Sequence, residues 1–504
     1  MSLLKLEKYK EIVIYGAGYY SNKVYWYLKY CGLVPKVRYF VVSDGEHKED
    51  EYRGIPIYYL SDKYEEMSKY QVVVAISPKR SNDIISNLVN MGIESVSAVT
   101  MEFAENIEKE YYRLCSSQPV KKNKILFDVN NGLGFMCNPK YIARSLIEMK
   151  ADVELVWGIS SAAIREFTDE IRLIDRETEE YCYEIATAGV IVCNTTINIP
   201  LIKQKSQYII NTWHGIGPFK RVGVKHDGFM GVDGWKESVV NWSDKTDLMI
   251  AASDHCEGVY RNSLCYKGKI EKWGYPRNDI FFRDTNEIRK HICERLDIDP
   301  DTAIVIYAPT YRVDVQLLYD SRVEEKYDLQ MDKVVSVLEA RFHKRFTPLY
   351  RLHQLIYRDS NIDISHYQNT GIDVTMYPDM QELLAAADIL ITDWSSSIWD
   401  FSLARKQGKR VFLYQNDIER ATELNGFYLP PDELPFPKGR TTDELCEAIE
   451  TYDDAQYMRD VDAFFERYGS YDDGHASERV AERIIDVMEH PEKYGKADPG
   501  ISGE

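Results

Sequence analysis

The sequence predicts an α/β protein built from several parallel sheets. Short apolar strands alternate with segments of helical spacing along most of the 504 residues, and this alternation is typical of βαβ units. The strand series starts afresh twice, near Ile125 and near Ala303. Two α/β halves of similar size therefore follow a smaller first unit. We expect them to form two lobes with a cleft between them, because parallel sheets bind ligands at the carboxyl ends of their strands.

The individual elements are predicted from short apolar runs bounded by turn residues and from helical spacing between them. Strands are predicted at residues 11–15, 37–42, 71–76, 125–127, 154–157, 190–193, 208–211, 248–251, 303–307, 389–391 and 411–414. Helices are predicted at residues 21–30, 81–90, 380–387 and 397–406.

The domain boundaries follow from these elements. Residues 1–105 are expected to form a Rossmann-like accessory module, and the polar, charged residues 106–123 a linker. Residues 124–297 and 298–490 are the two lobes. Residues 491–504 contain two prolines and three glycines, so we expect a flexible tail there.

Composition excludes several classes of protein. The chain has 62 Lys+Arg against 81 Asp+Glu, a net charge of −19, which argues against a general nucleic-acid binder. No stretch reaches the 18 apolar residues of a membrane span, and no signal peptide is recognisable. Nine cysteines without a CxxC pair indicate a reduced protein. We therefore expect a cytoplasmic protein with several domains.

The first strand runs into a glycine turn, Gly16-Ala17-Gly18. The pattern is G-x-G-x-x-S, with Ser21 where a dinucleotide-binding fingerprint has Gly or Ala. This departure favours a structural or oligomerising module over nucleotide binding, although both remain open.

A cluster of hydroxyls follows the strand at 389–391. Thr392, Ser395, Ser396 and Ser397 fall within six residues at a strand-to-helix turn. An N-cap uses only one hydroxyl, whereas several hydroxyls and free backbone N–H groups at one turn can bind phosphate. The turn is therefore predicted to bind an anion.

His214 follows the strand at 208–211, at the edge of the sheet where α/β enzymes place their sites. Lys220 and Arg221 are close enough in sequence to supply charge for a phosphate. By itself, His214 is equally compatible with a core histidine and a catalytic base.

Three further polar turns follow strands or strand-like segments. They carry Arg312, His353 and Arg277. Taken together, the turns predict a pocket with two imidazoles, several cations and many hydroxyls, a composition suited to a diphosphate substrate. No metal-ligand cluster is apparent in the sequence.

These segments resemble the CDP-glycerol glycerophosphotransferase family over about residues 124–487, in eight ordered blocks. The family's W-H-G-x-P-x-K-R-x-G block is similar to residues 213–223, which are one residue longer, and its T-D-Y-S-S block to residues 392–396. The usual L-H-P is Leu352-His353-Gln354 here. The other similar blocks are at residues 138–141, 274–279, 307–312, 425–428 and 473–479.

The resemblance implies a GT-B architecture, with residues 124–297 on the acceptor side and 298–490 on the CDP-donor side. It implies that an acceptor hydroxyl attacks the β-phosphorus of CDP-glycerol and that CMP leaves. His214 would be the general base and His353 would contact the diphosphate or assist the leaving group. The resemblance implies two sets of phosphate ligands: Arg312, Thr392, Ser395, Ser396 and Ser397 for the donor diphosphate, and Lys220, Arg221 and Arg277 for the acceptor or its phosphate.

The implied partners are a CDP-polyol donor and a polyol-phosphate or lipid-linked glycan acceptor. We expect no tightly bound cofactor, and a divalent cation requirement is left open. Peripheral contact at the inner face of the cell membrane and assembly into a homo-oligomer are also left open.

Three alternatives remain. The donor could be CDP-ribitol or another CDP-polyol. The same fold could transfer a sugar from a UDP-sugar, releasing UDP instead of CMP. A nucleotide-sensing or scaffold protein with inactive lobes is the third, and the presence of both His214 and His353 argues against it.

Overall fold

The computed structural model describes residues 10–46, 48–161, 163–164, 166–197, 199–215, 219–225, 234–310, 328–352 and 370–495. They form two compact units. The first contains the chain up to Lys121 together with Ile174–Ala188 and Ile199–Lys205, and the second contains the remainder.

The first unit is a six-stranded sheet with the order β3-β4-β2-β1-β5-β6. Its pairs are parallel except β3–β4. The strands are β1 Ile12–Tyr15, β2 Val37–Val42, β3 Glu51–Tyr52, β4 Ile55–Tyr59, β5 Gln71–Val74 and β6 Val96–Ala98. The helices are α1 Tyr19–Tyr30, α2 Leu60–Met67, α3 Pro78–Asn90 and α4 Met101–Cys115.

The central strands of this sheet are almost wholly apolar. Every residue of β1 and β5 is buried. Burial on both faces is usual for a parallel sheet covered by helices, and it explains why these strands read as continuous apolar runs. The Rossmann-like accessory module expected in this part of the chain stays a prediction.

Helix α4 occupies much of the predicted linker. Thr100 caps it by accepting a hydrogen bond from the Phe103 backbone N–H at 3.0 Å. Phe103, Ile107 and Tyr112 are buried, and the helix packs on α6, Glu179–Thr187, within the same unit. The structure therefore differs from the linker expectation. Charged residues dominate this segment, but its few apolar residues recur at helical spacing and form one buried face.

The second unit contains two further sheets. The first has the order β13-β12-β11-β10-β7-β8-β9. Its strands are β7 Lys121–Asp128, β8 Glu154–Ile159, β9 Ile171–Asp175, β10 Ala188–Cys193, β11 Tyr208–Asn211, β12 Leu248–Ile250 and β13 Lys269–Glu271. Its helices are α5 Cys137–Glu148, α7 Trp235–Lys245, α8 Asp254–Ser263 and α9 Asn286–Leu296, with a 3-10 helix at Pro276–Phe282.

The other sheet has the order β16-β15-β14-β17-β18-β19, and its neighbouring strands are parallel. Its strands are β14 Ala303–Tyr307, β15 Phe346–Tyr350, β16 Ile372–Asp373, β17 Ile389–Thr392, β18 Arg410–Tyr414 and β19 Lys438–Gly439. The helices are α10 Met331–Phe342, α11 Met380–Ala386, α12 Ser397–Ser402, α13 Ile418–Asn425, α14 Thr442–Glu450, α15 Asp454–Tyr468 and α16 Ala476–Glu489. Helix α12 is shorter than predicted and is followed by a 3-10 turn at Arg405–Gln407.

These two sheets are the cores of the two predicted lobes, so the α/β fold class is confirmed. The final helix, α16, returns to the first lobe and packs on α5 and on the 3-10 helix at Pro276–Phe282. Residues 491–494 form a 3-10 turn, and the Tyr494 ring contacts Tyr208 at 5.5 Å between centroids. The first residues of the predicted flexible tail are therefore packed, because Tyr494 supplies an apolar anchor.

A buried ion pair joins the two lobes. The Lys140 ammonium on α5 lies 2.8 Å from Asp379 and 2.7 Å from Glu382, at the start of α11. The Tyr141 hydroxyl also donates to Asp379 at 2.9 Å. Removing one member of such a pair would leave a charge without compensation, so these contacts fix the two lobes together. No helix among the described residues is long and apolar enough to cross a bilayer.

Asp279 caps the N-terminus of helix α16, although it lies 197 residues before Ala476 in the sequence. This contact leads to a stability prediction. The Asp279 carboxylate accepts hydrogen bonds from the Ala476 and Ser477 backbone N–H groups at 3.0 and 2.7 Å. Because this carboxylate is buried, we expect Asp279→Ala to lower the free energy of unfolding by about 2 kcal/mol. The measurement is the urea midpoint followed by circular dichroism.

The matched control is Asp284→Ala. Asp284 accepts a similar bond from the Asn286 N–H at 2.9 Å, but it is exposed, so its loss should cost about 0.5 kcal/mol. Equal midpoints for the two variants would contradict the proposed role of Asp279.

Candidate active site

His214 lies in a tight turn at the carboxyl end of β11. The preceding residue, Trp213, has a φ of 54°, in the left-handed region that a tryptophan rarely adopts. Two buried amides hold this conformation. Asn211 Oδ1 accepts a hydrogen bond from the Trp213 N–H at 2.9 Å, and Asn138 Nδ2 donates to the Trp213 carbonyl at 3.0 Å. The turn is therefore imposed by its surroundings, as is common at functional sites.

The orientation of the His214 imidazole is set by a backbone carbonyl. Nδ1 lies 2.7 Å from the Asn194 carbonyl oxygen, and the ring stacks on Trp213 at 4.5 Å between centroids. A carbonyl can only accept, so Nδ1 carries the proton in this hydrogen bond. In the neutral ring, Nε2 then keeps a free lone pair and can accept a proton.

Asn194 is itself held in place by Asn130. The Asn130 N–H donates to Asn194 Oδ1 at 2.8 Å, and Asn194 Nδ2 donates to Asn130 Oδ1 at 3.0 Å. These two bonds connect the loops after β7 and β10. They fix the carbonyl that determines the tautomer of His214.

The electrostatic surroundings keep His214 neutral. One side of the imidazole is open to solvent, and the other side lies against densely packed protein. Desolvation on the packed side, followed by the positive charges of Arg277 and Lys220, lowers the pKa of His214 below its usual 6.5. The hydrogen bond to Asn194 acts in the opposite direction but is outweighed. A neutral imidazole at pH 7 is the form that a general base requires.

The His214 turn touches the hydroxyl turn of the other lobe. A Cβ placed on Gly215 would lie 2.9 Å from Ser396 Oγ and 3.3 Å from Ser396 Cβ. Only a residue without a side chain allows this approach. The structure thus brings together two segments that the sequence predicted to belong to one site.

Within the hydroxyl turn, Ser395, Ser396 and Ser397 are partly exposed, and Ser397 Oγ donates to Ser395 Oγ at 2.9 Å. Asp393 is buried, and its carboxylate accepts a hydrogen bond from the Trp394 N–H of the same turn at 2.5 Å. The same carboxylate accepts hydrogen bonds from the Thr310 N–H and Oγ1 at 2.8 and 2.6 Å. The three serine hydroxyls are thus the accessible polar groups of the segment.

Thr392 does not fit the predicted role of a diphosphate ligand. Its side chain is fully buried, and its hydroxyl donates to the Ala308 carbonyl at 2.6 Å. The last residue of a central strand points into the sheet packing, which the hydroxyl count in the sequence could not reveal. Thr392 therefore connects β17 to the end of β14.

Lys220 and Arg221 lie on a segment that pairs with the second lobe. Lys220 forms an antiparallel bridge with Phe427, and the Arg221 N–H donates to the Gly426 carbonyl at 3.1 Å. Lys220 is partly exposed and Arg221 is exposed. The effect of Lys220 on the pKa of His214 indicates that its charge acts at the site.

Arg277 also departs from its predicted role as a phosphate ligand. It is only 7% exposed, and its guanidinium contacts protein groups. One terminal nitrogen donates to the His214 carbonyl at 2.7 Å, and the other lies 2.7 Å from the Asp400 carboxylate on α12. The motif placed Arg277 at the site, but its burial directs it towards the protein instead of a ligand.

Tyr275, on the same segment, holds the next residue of the histidine turn. Its hydroxyl donates to the Gly215 carbonyl at 2.8 Å, and its backbone N–H donates to Asp472 at 2.8 Å. His353 and Arg312 lie outside the described residues.

Several residues of the site were not predicted as such. Asn138, Asn194 and Asp400 are all buried. Asn138 donates to the Trp213 carbonyl, the Asn194 carbonyl accepts from His214, and Asp400 pairs with Arg277. Asn138 could have been selected from the sequence because it belongs to a block that resembles the family. Asn194 could have been selected because it directly follows a predicted strand. Asp400 gave no such signal, because it lies within a helix.

The glycine turn of the first unit adjoins a cavity of about 480 Å³. Carboxylates dominate its lining, and the residues include Gly18, Glu49, Glu51, Arg53, Asp175, Glu177 and Glu180. Ser21 Oγ donates to the Ala75 carbonyl at 3.0 Å beside the turn. A lining this acidic repels phosphate, which favours a structural module over nucleotide binding.

Two α/β lobes, with a histidine turn of one lobe against a hydroxyl turn of the other, have the arrangement of a GT-B-type transferase. The family described as CDP-Glycerol:Poly(glycerophosphate) glycerophosphotransferase matches residues 110–486. The chain belongs to this family, which confirms the resemblance.

Known relatives agree with this membership. The chain is 25% identical over 403 residues to the teichoic acid poly(glycerol phosphate) polymerase of Bacillus subtilis, a match covering 78% of this chain and 52% of that protein. It thus spans about half the length of that relative. The teichoic acid poly(ribitol-phosphate) polymerase of Bacillus spizizenii is 23% identical over 372 residues, covering 73% of this chain and 57% of that protein.

Among solved structures, the wall teichoic acid polymerase TagF superposes with a TM-score of 0.67 at 25% identity. The superposition covers 83% of this chain and all of the TagF chain. The predicted GT-B fold is confirmed by this similarity.

The contact between Gly215 and Ser396 leads to a prediction. We expect Gly215→Ala to force the two turns apart by a few tenths of an ångström and to lower kcat about tenfold, because catalysis depends on their alignment. Gly258→Ala is the control, since a Cβ at Gly258 meets nothing within 4 Å. Comparing kcat of the two purified variants tests this expectation, and equal values would show that the contact is dispensable.

Proposed function

We propose that this protein transfers glycerol phosphate from CDP-glycerol to a hydroxyl of a glycerol-phosphate or glycan acceptor, releasing CMP, in the synthesis of a cell-surface polymer. The observation that carries the proposal is the approach of the His214 turn to the Ser395–Ser397 hydroxyls, within a chain of the glycerophosphotransferase family. It brings a neutral imidazole next to hydroxyls able to hold a phosphate.

The reaction is a displacement at phosphorus. The acceptor oxygen forms a bond to the β-phosphorus of CDP-glycerol, and the bond from that phosphorus to the bridging oxygen breaks, so CMP takes the electron pair. His214 Nε2 takes the proton of the acceptor hydroxyl. Its other nitrogen is engaged with Asn194, which leaves only Nε2 for this step. Such transfers depend mainly on positioning and on charge stabilisation.

The remaining roles extend the resemblance with the corrections above. Ser395, Ser396 and Ser397 hold the donor diphosphate together with Arg312, and His353 assists the leaving group. Lys220 and Arg221 supply positive charge near the acceptor phosphate. We do not propose Thr392 and Arg277 as direct phosphate ligands, because both are buried and have protein partners. We propose no tightly bound cofactor.

CDP-glycerol is proposed as the donor because the family description names it and because the glycerol-phosphate polymerase is the nearer of the two relatives described above. CDP-ribitol is the second candidate, since the family likeness extends to a ribitol-phosphate polymerase. A lipid-linked acceptor would require peripheral contact with the membrane, which co-flotation with vesicles carrying that acceptor would test.

The decisive test measures nucleotide release. We expect CMP from CDP-glycerol with a glycerol-phosphate-bearing acceptor, and none from CDP-ribitol or UDP-sugars. His214→Asn should lower kcat at least about 10³-fold, within the range for loss of a general base, while CDP-glycerol binding by calorimetry stays within about threefold. UDP release from a UDP-sugar without CMP release from any CDP-polyol would refute the proposal.

The pH profile tests the role of the imidazole separately. A base must be neutral, and the pKa of His214 is lowered below 6.5. Activity should therefore be retained down to pH 6.5 and fall only at lower pH, as Nε2 becomes protonated. The measurement is kcat/KM between pH 4.5 and 8, in constant ionic strength. A decline beginning above pH 7 would argue against a neutral His214 acting as the base.

A further inference from the structure

Arg277 and Asp400 form a buried pair across the two lobes. Arg277 lies in the 3-10 helix Pro276–Phe282 of the first lobe, and Asp400 lies on α12, which begins at Ser397 of the hydroxyl turn. Their closest nitrogen and oxygen atoms are 2.7 Å apart, and Asp400 is 2% exposed. The same guanidinium donates to the His214 carbonyl at 2.7 Å. The Arg277 side chain thus contacts both the backbone of the proposed base and α12, the helix that begins in the hydroxyl turn.

We propose that Arg277 and Asp400 are positioning residues that set the distance between His214 and the donor-binding serines. This inference rests on the proposed function for its kinetic consequences. The pair acts through the His214 backbone and through α12, without touching either substrate.

The geometry requires a guanidinium. Two terminal nitrogens of Arg277 reach two partners in different lobes, the His214 carbonyl and the Asp400 carboxylate. A lysine has one charged nitrogen and cannot present the same planar fork. The backbone N–H of Arg277 also donates to Asn138 Oδ1 at 3.1 Å, and Asn138 in turn holds the Trp213 carbonyl. The carbonyls of Trp213 and His214 are therefore held by two neighbouring residues of the first lobe, Asn138 and Arg277.

Asp400 has further support from the second lobe. Gln381 Nε2 lies 3.4 Å from the Asp400 carboxylate and donates to Asn278 Oδ1 at 3.0 Å. Gln381 thereby links α11, α12 and the segment that carries Arg277. This network restricts how far the two lobes can shift at the site.

The kinetic experiment compares Arg277→Lys, Asp400→Asn and the double variant. If the pair positions the base, both single variants should lower kcat about 30-fold or more, with the KM for acceptor within about threefold of wild type. The double variant should lose little more than either single one, because both break the same link.

A phosphate-binding role for Arg277 gives the opposite pattern. Arg277→Lys would then raise the KM for acceptor while kcat stays near wild type, and Asp400→Asn would have little effect. That pattern, or strictly multiplicative losses in the double variant, would overturn the inference.

A second measurement does not depend on turnover. The pH titration of His214 can be followed by NMR in protein labelled at histidine Cε1, with the resonance assigned by its absence in His214→Asn. Arg277→Met removes a positive charge and should raise the pKa of His214, whereas Asp400→Asn removes a negative charge and should lower it. Shifts of the same sign in both variants, or no shift in either, would contradict a direct link to His214.

Asp379→Asn is the matched control for loss of a buried interlobe ion pair. It breaks the contact of Asp379 with Lys140, which involves no residue of the His214 turn. We expect a lower unfolding midpoint and an unchanged His214 titration. If wild-type protein releases no CMP from any donor, the proposed function fails, while opposite NMR shifts in the two variants would still support the link between the pair and His214.

Discussion

The structure of the second unit depends on how one short buried segment, residues 274–279, satisfies its polar groups. Buried donors, acceptors and charges require partners, and these are taken from four separate parts of the chain. The partners are the Gly215 carbonyl for Tyr275, the His214 carbonyl and Asp400 for Arg277, Asp472 for Asn278, and the start of α16 for Asp279. Because these partners belong to both lobes and to the final helix, this segment holds all three together, in addition to the ion pair of Lys140.

The same segment connects structure to chemistry. The charge of Arg277 that holds the His214 turn also contributes to the lowered pKa of His214. A cation beside an imidazole disfavours its protonated form, so a contact that orients the base also keeps it ready to accept a proton. The buried Asp400 compensates that cation and prevents it from being an isolated charge in the protein interior. Arg277 therefore contributes both to the position of the His214 turn and to the lowered pKa of its imidazole, to which desolvation is the larger contributor.

Sequence reasoning predicted most central strands and the two segments that meet at the site, because apolar runs and strand-end polar residues are local signals. It was less successful where the outcome depended on three-dimensional packing. Thr392 and Arg277 have side chains able to bind phosphate, but both are buried and contact protein partners instead. Asn194 acts through a backbone carbonyl, which no residue type encodes. The helical face of α4 was hidden among charged residues, so a linker was expected there instead.

The course of the chain also bears on the extent of the first unit. Ile174–Ala188 and Ile199–Lys205 belong to that unit, although they lie in sequence between strands of the second. Helix α6, from the first of these insertions, packs on α4, which spans the boundary expected at residue 105. A chain cut there would divide α4 and expose the face of α6 that packs on it. The chain therefore passes between the two units repeatedly, and residues 1–105 alone do not make up the first unit.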